Sequence, residues 1–452
     1  MRTFPLRICA VTLLAISCSH SDGRVEPNKD SATVPATDLS RANDTGKKAS
    51  TTYLVRGARD LQGNSSSGII VPDSDFRNLT TFDAQMQSAP QKGVSLKKLH
   101  AHTNYLIFGG RAVRPMAGMM QGETPDSIRG IYNVQANGGS RVIAIVDAFN
   151  YPTAENDLAV FSAKFGLKQC KVVDGCLKIL YQGGKMPAND CSWSGEAALD
   201  LEWTHAMAPN ARLIFVEAQS DSFSDLFDAV KIATREVVSA GGGEVSLSWG
   251  GIEFPDEIKS DPLFNQSGVT FFVSSGDVGG IHAYPAASPN VVSVGGTTII
   301  RDAAGAFVEE TAWSGSGGGP SVYERQPTYQ VNVPNTSSTQ RSVPDVAVVA
   351  DPETGVAVYN STVCQNLSGW MVVGGTSAGA PIVAGMANAA GHFNHTSADE
   401  LNAIYSHRQD PTSFRDVVKG TAGSNAALTG YDFATGIGSP LGTKFDDPSK
   451  SN

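Results

Sequence analysis

The sequence predicts an α/β fold, a doubly wound, mostly parallel sheet with helices on both faces. Three observations predict it. Short apolar runs recur, as in Arg141–Asp147 (RVIAIVD), Ala211–Glu217 (ARLIFVE), Glu244–Trp249 (EVSLSW) and Val269–Ser275 (VTFFVSS). A run without polar alternation is a strand covered on both faces, the habit of parallel sheets. Helical patterns separate these runs, at Ala154–Phe165, Ser194–Met207 and Ser222–Ala240. Strand and helix in alternation mark crossover units. No linker composition interrupts residues 116–445, which are read as one domain.

Ahead of that domain the character differs. Arg2 and Arg7 precede an apolar run, Ile8 to Ser17, that is too short to cross a bilayer. Residues 1–18 are therefore expected to be a signal peptide, and the chain secreted or extracytoplasmic. Leu14-Ala15-Ile16-Ser17-Cys18 resembles a lipoprotein box with Ala15 where Leu is usual, which leaves a lipid anchor at Cys18 open. Residues 19–50 are polar and read as a flexible tether. Residues 51–115 read as a short pro-segment-like region, with strand-like pieces at Tyr53–Val55 and Asn104–Phe108. Within the main domain a short strand is also expected at Val291–Val294.

Composition excludes some functions. Acidic residues outnumber basic ones, 44 to 34, for a net charge of −10. That balance offers no basic face for nucleic acid. No later run has the unbroken apolar length of a membrane helix, and no solenoid repeat is visible.

The candidate chemistry centres on Val372-Val373-Gly374-Gly375-Thr376-Ser377-Ala378-Gly379-Ala380-Pro381. Small residues surround one hydroxyl, and an Ala-rich apolar helix follows. Pro381 is expected in that helix's first turn, where no N–H is needed. Ser377 at the helix start would face free N–H groups and the positive dipole end, as a nucleophile facing developing negative charge requires. A plain helix cap is the other reading. A serine nucleophile needs a base. None of the eight His is followed by Gly, and His205 reads as a structural residue at a helix end. Glu196 and Asp200, by contrast, stand at i and i+4. On a helix they share a face, roughly 5–6 Å apart at Cβ. Two such carboxylates can share a proton, with one pKa raised. A solvated acidic face is the alternative, although the neighbours Trp193, Ala197, Ala198, Leu199, Leu201 and Trp203 are apolar. Asp277 falls in a Gly-Asp turn just past a buried strand, where α/β proteins place ligand sites. Kept protonated, it could donate a hydrogen bond to an oxyanion.

Taken in order, Gly195-Glu196-x3-Asp200, Ser275-Gly276-Asp277 and Gly375-Thr376-Ser377-Ala378-x2-Pro381 resemble the sedolisins, the serine-carboxyl peptidases, from about Glu123 to Gly442. The resemblance implies a subtilisin-like fold and endopeptidase action in acid on protein or peptide substrates, and a monomer is expected. It also implies roles: Ser377 as nucleophile, Glu196 as general base, Asp200 as its partner and Asp277 as oxyanion donor. Asp147 matches the family's strand-end acid and is given no catalytic role. Ser248-Trp249-Gly250 looks like the segment that pairs with substrate backbone. Phe414–Val417 with Leu428–Asp432 resembles the family's calcium site. The implied ligands of one structural Ca²⁺ are the side chains of Asp416 and Asp432 and the carbonyls of Val417, Leu428 and Gly430. A Leu at 428, where family members carry Gly, would weaken that site if it needs an unusual backbone angle. The pro-segment is short for the family, which puts self-processing in doubt. A silent binding relative and a tripeptidyl-exopeptidase remain alternatives. An esterase of α/β-hydrolase type, which would want a Gly-x-Ser-x-Gly elbow, is a third alternative.

Outside the leader four cysteines remain, an even number that suits an exported chain with two disulfides. Cys170 and Cys176 flank the turn signal Asp174-Gly175 and are expected to pair. Cys191 and Cys364 then pair if Glu196 and Ser377 meet in one site.

Overall fold

The structure is a computed structural model and describes residues 69–70, 92–108 and 122–450. The expected leader, Cys18, the tether and the strand-like piece at Tyr53–Val55 lie outside the described residues. No helix among the described residues is long and apolar enough to cross a membrane.

Short strands come first: β1 (Ile69–Ile70), β2 (His102–Thr103) and β3 (Leu106–Phe108). Helix α1 (Pro125–Tyr132) follows, with the Thr124 side chain capping the Ser127 N–H. Strand and helix then alternate: β4 (Val142–Ala148), α2 (Ala154–Phe165), β5 (Leu177–Tyr181), α3 (Cys191–Met207), β6 (Arg212–Ala218), α4 (Phe223–Ser239) and β7 (Gly243–Leu247). Next come β8 (Trp249–Gly250), β9 (Val269–Ser274), β10 (Val292–Arg301), β11 (Phe307–Ala312), β12 (Gly319–Arg325) and β13 (Gln340–Val343). The last long elements are β14 (Val346–Val349), β15 (Val356–Cys364), β16 (Leu367–Gly374), α5 (Thr376–Ala390) and α6 (Ser397–Ser406).

The central sheet runs β11-β10-β9-β7-β4-β6-β5, with β14 also on β10. All its pairings are parallel except β10 with β11. The fold is thus the doubly wound α/β architecture that the alternation implied. A second, antiparallel sheet runs β1-β3-β16-β15.

Two apolar layers sandwich the central sheet. One holds Phe161, Trp203, Ile382 and Val383 from α2, α3 and α5. The other gathers Phe223 and Phe227 of α4 with Trp249, Phe254, Phe264 and Tyr284. Each fully buried large apolar side chain contributes roughly 1.5–3 kcal/mol relative to exposure. A surface helix has one apolar stripe, but α3 is buried all round, from Ser192 to Met207. Its carboxylates Glu196, Asp200 and Glu202 therefore enter the interior, where charge must be paired or neutralised.

Strand β10 extends well past the expected Val291–Val294. Gly295 and Gly296 read as a strand end, yet here they make room. A β-carbon on Gly296 would lie 2.6 Å from Ala350 Cβ and 2.7 Å from the Trp313 ring. Pro381 is also a correction. It is the sixth residue of α5, inside the helix rather than in its first turn, because the helix starts at Thr376 with Gly375 as its cap. The missing N–H of Pro381 releases the carbonyl of Ser377 four residues back, and the Ser248 hydroxyl stands 3.3 Å from that carbonyl.

Disulfides join Cys170 to Cys176 and Cys191 to Cys364. The second closes a separation of 173 residues and ties the start of α3 to the end of β15.

Candidate active site

Parallel strands deliver their C-terminal ends to one edge, the usual place for a site in such sheets. Asp147 is the sixth residue of the seven-residue β4, Ser248 follows β7, and Asp277 lies three residues past β9. The α3 and α5 helices bring Glu196, Asp200 and Ser377 to the same place.

Helix α5 begins abruptly. Gly375 has φ +97°, a left-handed angle that suits glycine. The first N–H groups of the helix have no partner within it. The Thr376 N–H goes to Asp277 Oδ1 at 2.8 Å, and the Ser377 N–H goes to the carbonyl of Asn104 at 2.9 Å. Ser377 Oγ donates to the Ser248 carbonyl at 3.0 Å. Ser248 Oγ is 2.7 Å from Asp200 Oδ1. Glu196 Oε2 accepts the Asn104 N–H at 3.1 Å. Ser377, Ser248, Asp200, Glu196, Asn104, Thr376 and Asp277 thus form one connected group.

Its acids are buried, with Glu196, Asp200 and Asp147 all at 0 % exposure. The solvated-face reading of Glu196 and Asp200 does not describe these positions. Burial pushes the Asp200 carboxyl well above its ordinary range, and the charge of Asp147 adds to this, while the Ser248 bond opposes it. Asp147 rises to about 8, through burial and the neighbouring Glu217. Those two acids face each other in register on β4 and β6. Glu217 rises to about 7 through burial. Asp277 rises to about 7 because burial outweighs two bonds from Thr376. Asp277 Oδ1 receives both of those bonds, while its shielded Oδ2 has no partner among the described residues. Protonated, Oδ2 is a hydrogen-bond donor. It and the Asn104 carbonyl oxygen both lie within 2.5 Å of where a β-carbon on Gly375 would sit.

The expected substrate-pairing segment is paired. β2 lies antiparallel to β8, with His102 opposite Gly250 and Thr103 opposite Trp249. Trp249 contributes backbone only, since its ring is buried and its Nε1–H bonds to the Val146 carbonyl at 2.8 Å. Beyond Asn104 the chain joins β16, with Leu106 opposite Gly374 and Ile107 opposite Val373. His205 is buried at the end of α3, and its Nε2 is 2.6 Å from the Lys168 carbonyl.

Sequence reading missed the part of four residues. Asn104 and Ser274 carried no motif. Glu217 did carry a signal, because ARLIFVE repeats the apolar-run-then-acid pattern of RVIAIVD, and parallel pairing sets the two acids side by side. Thr376 was read only as a small neighbour, yet it holds Asp277.

The expected calcium ligands converge on one loop. Asp416 Oδ2 accepts the Gly430 N–H at 2.9 Å, and Asp432 Oδ2 accepts the Leu428 N–H at 2.8 Å. Burial raises both carboxyls above their ordinary range. Leu428 is not among the residues of positive φ, so it carries none of the backbone strain that its side chain threatened. No cluster of three or more His, Cys, Asp or Glu side chains suited to a metal occurs among the described residues. Two carboxylates with carbonyls do fit a hard cation in donor type.

A subtilisin-like sheet with a serine at a helix start and buried acids around it defines the class. The chain belongs to the subtilase family, whose model matches residues 186–438. Within that family its likeness is to the sedolisins. It is 29% identical to kumamolisin of Bacillus sp. (strain MN-32) over 347 residues, 68% of this chain and 60% of that protein. It is 29% identical to sedolisin of Pseudomonas sp. (strain 101) over 370 residues, 72% of this chain and 60% of that protein. The chain thus spans about 60% of the length of these relatives. Among solved structures, Pseudomonas sedolisin (serine-carboxyl proteinase) complexed with two molecules of pseudo-iodotyrostatin matches with a TM-score of 0.60 and 27% identity, over 72% of this chain and 96% of that one.

Proposed function

We propose that the protein is an exported serine-type endopeptidase that hydrolyses peptide bonds in acid through an acyl-enzyme. One observation carries this reading. The Asn104 carbonyl rests on the Ser377 N–H, with Asp277 Oδ2 also close to Gly375, and the N–H of the same residue, on its preceding peptide bond, rests on Glu196. In this reading Ser377 Oγ leaves the Ser248 carbonyl and attacks the substrate carbonyl carbon. Glu196 takes its proton and returns it to the leaving amine. Asp200, bonded to Ser248, holds that hydroxyl against the nucleophile's own carbonyl. Protonated Asp277 and the Ser377 N–H stabilise the oxyanion. A histidine base would be protonated in acid, whereas buried carboxyls at this site can still exchange protons there.

The path of residues 99–104 favours endopeptidase over tripeptidyl action. Upstream of the three residues His102-Thr103-Asn104 the chain continues along the site. The Ala101 N–H bonds to the Asp221 carbonyl, and the Phe223 N–H bonds to the Leu99 carbonyl. Residues 51–115 are proposed to act as a pro-segment, and secretion through residues 1–18 stays part of the reading. A single structural Ca²⁺ would be held by the side chains of Asp416 and Asp432 with the carbonyls of Val417, Leu428 and Gly430, where it would cross-link the loop.

A peptide aldehyde tests the nucleophile directly. A reversible adduct mapped to Ser377, with loss of acid proteolysis, is expected. Inhibition without any contribution from Ser377 counts against the reading.

A further inference from the structure

Residues 99–108 cross the site in both directions from one peptide bond. On the upstream side, His102 and Thr103 touch the site through backbone pairing with Gly250 and Trp249. On the downstream side, Leu106 and Ile107 do the same with Gly374 and Val373. Backbone pairing tolerates most side chains. At the centre, Asn104 and Tyr105 are read by hydrogen bonds of their side chains, and farther upstream His100 Nδ1 lies 2.9 Å from Asp221 Oδ1.

Asn104 is buried, and its Nδ2 donates to Ser274 Oγ at 2.8 Å. Ser274 is the last residue of β9 and is also buried. The next side chain, Tyr105, is 2 % exposed and donates its hydroxyl to the Ser192 carbonyl at 2.8 Å. Gly195 makes this possible, because a β-carbon there would stand 2.2 Å from the Tyr105 hydroxyl oxygen. The carbonyl between these two side chains is the one that the Ser377 N–H holds.

We propose that the site selects asparagine on the acyl side and tyrosine on the amine side of the bond it cuts, and that Asn104–Tyr105 is this bond in its own chain. The proposal rests on the peptidase reading. In the step, Ser377 Oγ bonds to the Asn104 carbonyl carbon and its proton passes to Glu196. The bond to the Tyr105 nitrogen breaks, and that nitrogen takes the proton. Water then splits the ester, leaving a carboxyl on Asn104 and restoring Ser377. Selectivity follows from desolvation. An apolar side chain in place of asparagine leaves the buried Ser274 hydroxyl without its donor, which sites of this kind resist by roughly tenfold to a hundredfold. Phenylalanine in place of tyrosine loses the bond to the Ser192 carbonyl, a smaller effect because that carbonyl also lies within helix α3.

The full chain is incubated in acid and its termini are sequenced. It is then offered the decapeptide Leu-His-Ala-His-Thr-Asn-Tyr-Leu-Ile-Phe, an Asn→Leu form and a Tyr→Gly form. A new terminus at Tyr105, absent from Ser377→Ala, is expected. The parent peptide should be cut between Asn and Tyr at least about tenfold faster than the Asn→Leu form. Ser274→Ala should narrow that gap, and Gly195→Ala should favour the Tyr→Gly form over the parent. An enzyme that digests denatured protein, yet leaves Asn104–Tyr105 whole or cuts the Asn→Leu peptide equally fast, overturns the proposal. A chain that cuts no protein at all overturns the peptidase reading as well.

Discussion

Asp277 and Thr376 are locked together through one oxygen. Asp277 Oδ1 accepts both the N–H and the hydroxyl of Thr376, each at 2.8 Å. The Thr376 hydroxyl oxygen in turn accepts the Gly276 N–H at 3.0 Å. This fixes the carboxyl plane and leaves Oδ2 without a hydrogen-bond partner among the described residues, close to Gly375, which the Asn104 carbonyl also approaches.

In the proposed reading, Asp277 sets the alkaline limit. Its pKa is raised to about 7, so it is a donor below that pH and a repelling charge above it. Activity should decline as pH rises through about 7. Asp277→Asn keeps a donor that does not titrate, so its decline in that window should flatten, with a lower maximum. Asp277→Ala should lose about 10²–10³ in kcat, the usual cost of an oxyanion donor. A pH-rate profile of the three proteins checks this.

Stability should also favour acid. Asp147, Glu217, Glu244, Glu324 and Glu400 are raised to about 8, 7, 8, 8 and 7, in each case chiefly by burial. Unfolded carboxyls titrate near about 4. Between those limits the folded chain binds more protons than the unfolded one, so its stability falls as pH rises from about 4 to 8 and is fully present below about 4. Glu253, lowered to about 2 against His282, works the other way only below about 4. Tm measured across this range should drop toward neutral pH, and a Tm that climbs steadily to pH 8 would contradict the account.

Much of this arrangement is legible in sequence. Continuous apolar runs place β4, β6, β7 and β9, because parallel strands need both faces covered. Glu196 and Asp200 are legible because a helix brings i and i+4 together and their neighbours are apolar. The rest is tertiary. Nothing local shows that residues 102–108 return to lie along β8 and β16, since edge pairing reads backbone rather than side chains. Pro381 reads as a first-turn residue, because a proline deeper in a helix costs a hydrogen bond; here the Ser248 hydroxyl, from a distant strand end, approaches the released carbonyl. Gly295 and Gly296 hide a strand, because their reason is the bulk of Trp313, Ser316 and Pro344 opposite.

Calcium removal tests the C-terminal loop. An ion bound only by the folded chain stabilises it by about 2.7 kcal/mol at a hundred times its Kd. A chelator should lower Tm in the wild type, and Asp416→Ala should lower Tm in calcium and respond little to chelator. Identical melting with and without chelator removes the ion from the account.

Cys364→Ser opens the long disulfide loop. On the chain-entropy model a loop of this size is worth roughly 4–5 kcal/mol. Denaturant unfolding should show a loss of that order, while Cys170→Ser, which opens a separation of only 6 residues, should cost less. Equal losses would argue against loop closure as the cause.

The central claim is that Ser377 is a nucleophile served by buried carboxylates rather than by histidine. Digestion of denatured protein from about pH 3 to 8 by the wild type, Ser377→Ala and Glu196→Gln tests it most directly. The wild type should be most active in acid and fade toward neutral pH. Both variants should fold and lose on the order of 10⁴-fold in rate, and Asp200→Asn should lose less. Near-native turnover by Ser377→Ala, or a wild-type rate that rises steadily through pH 8, would contradict the account.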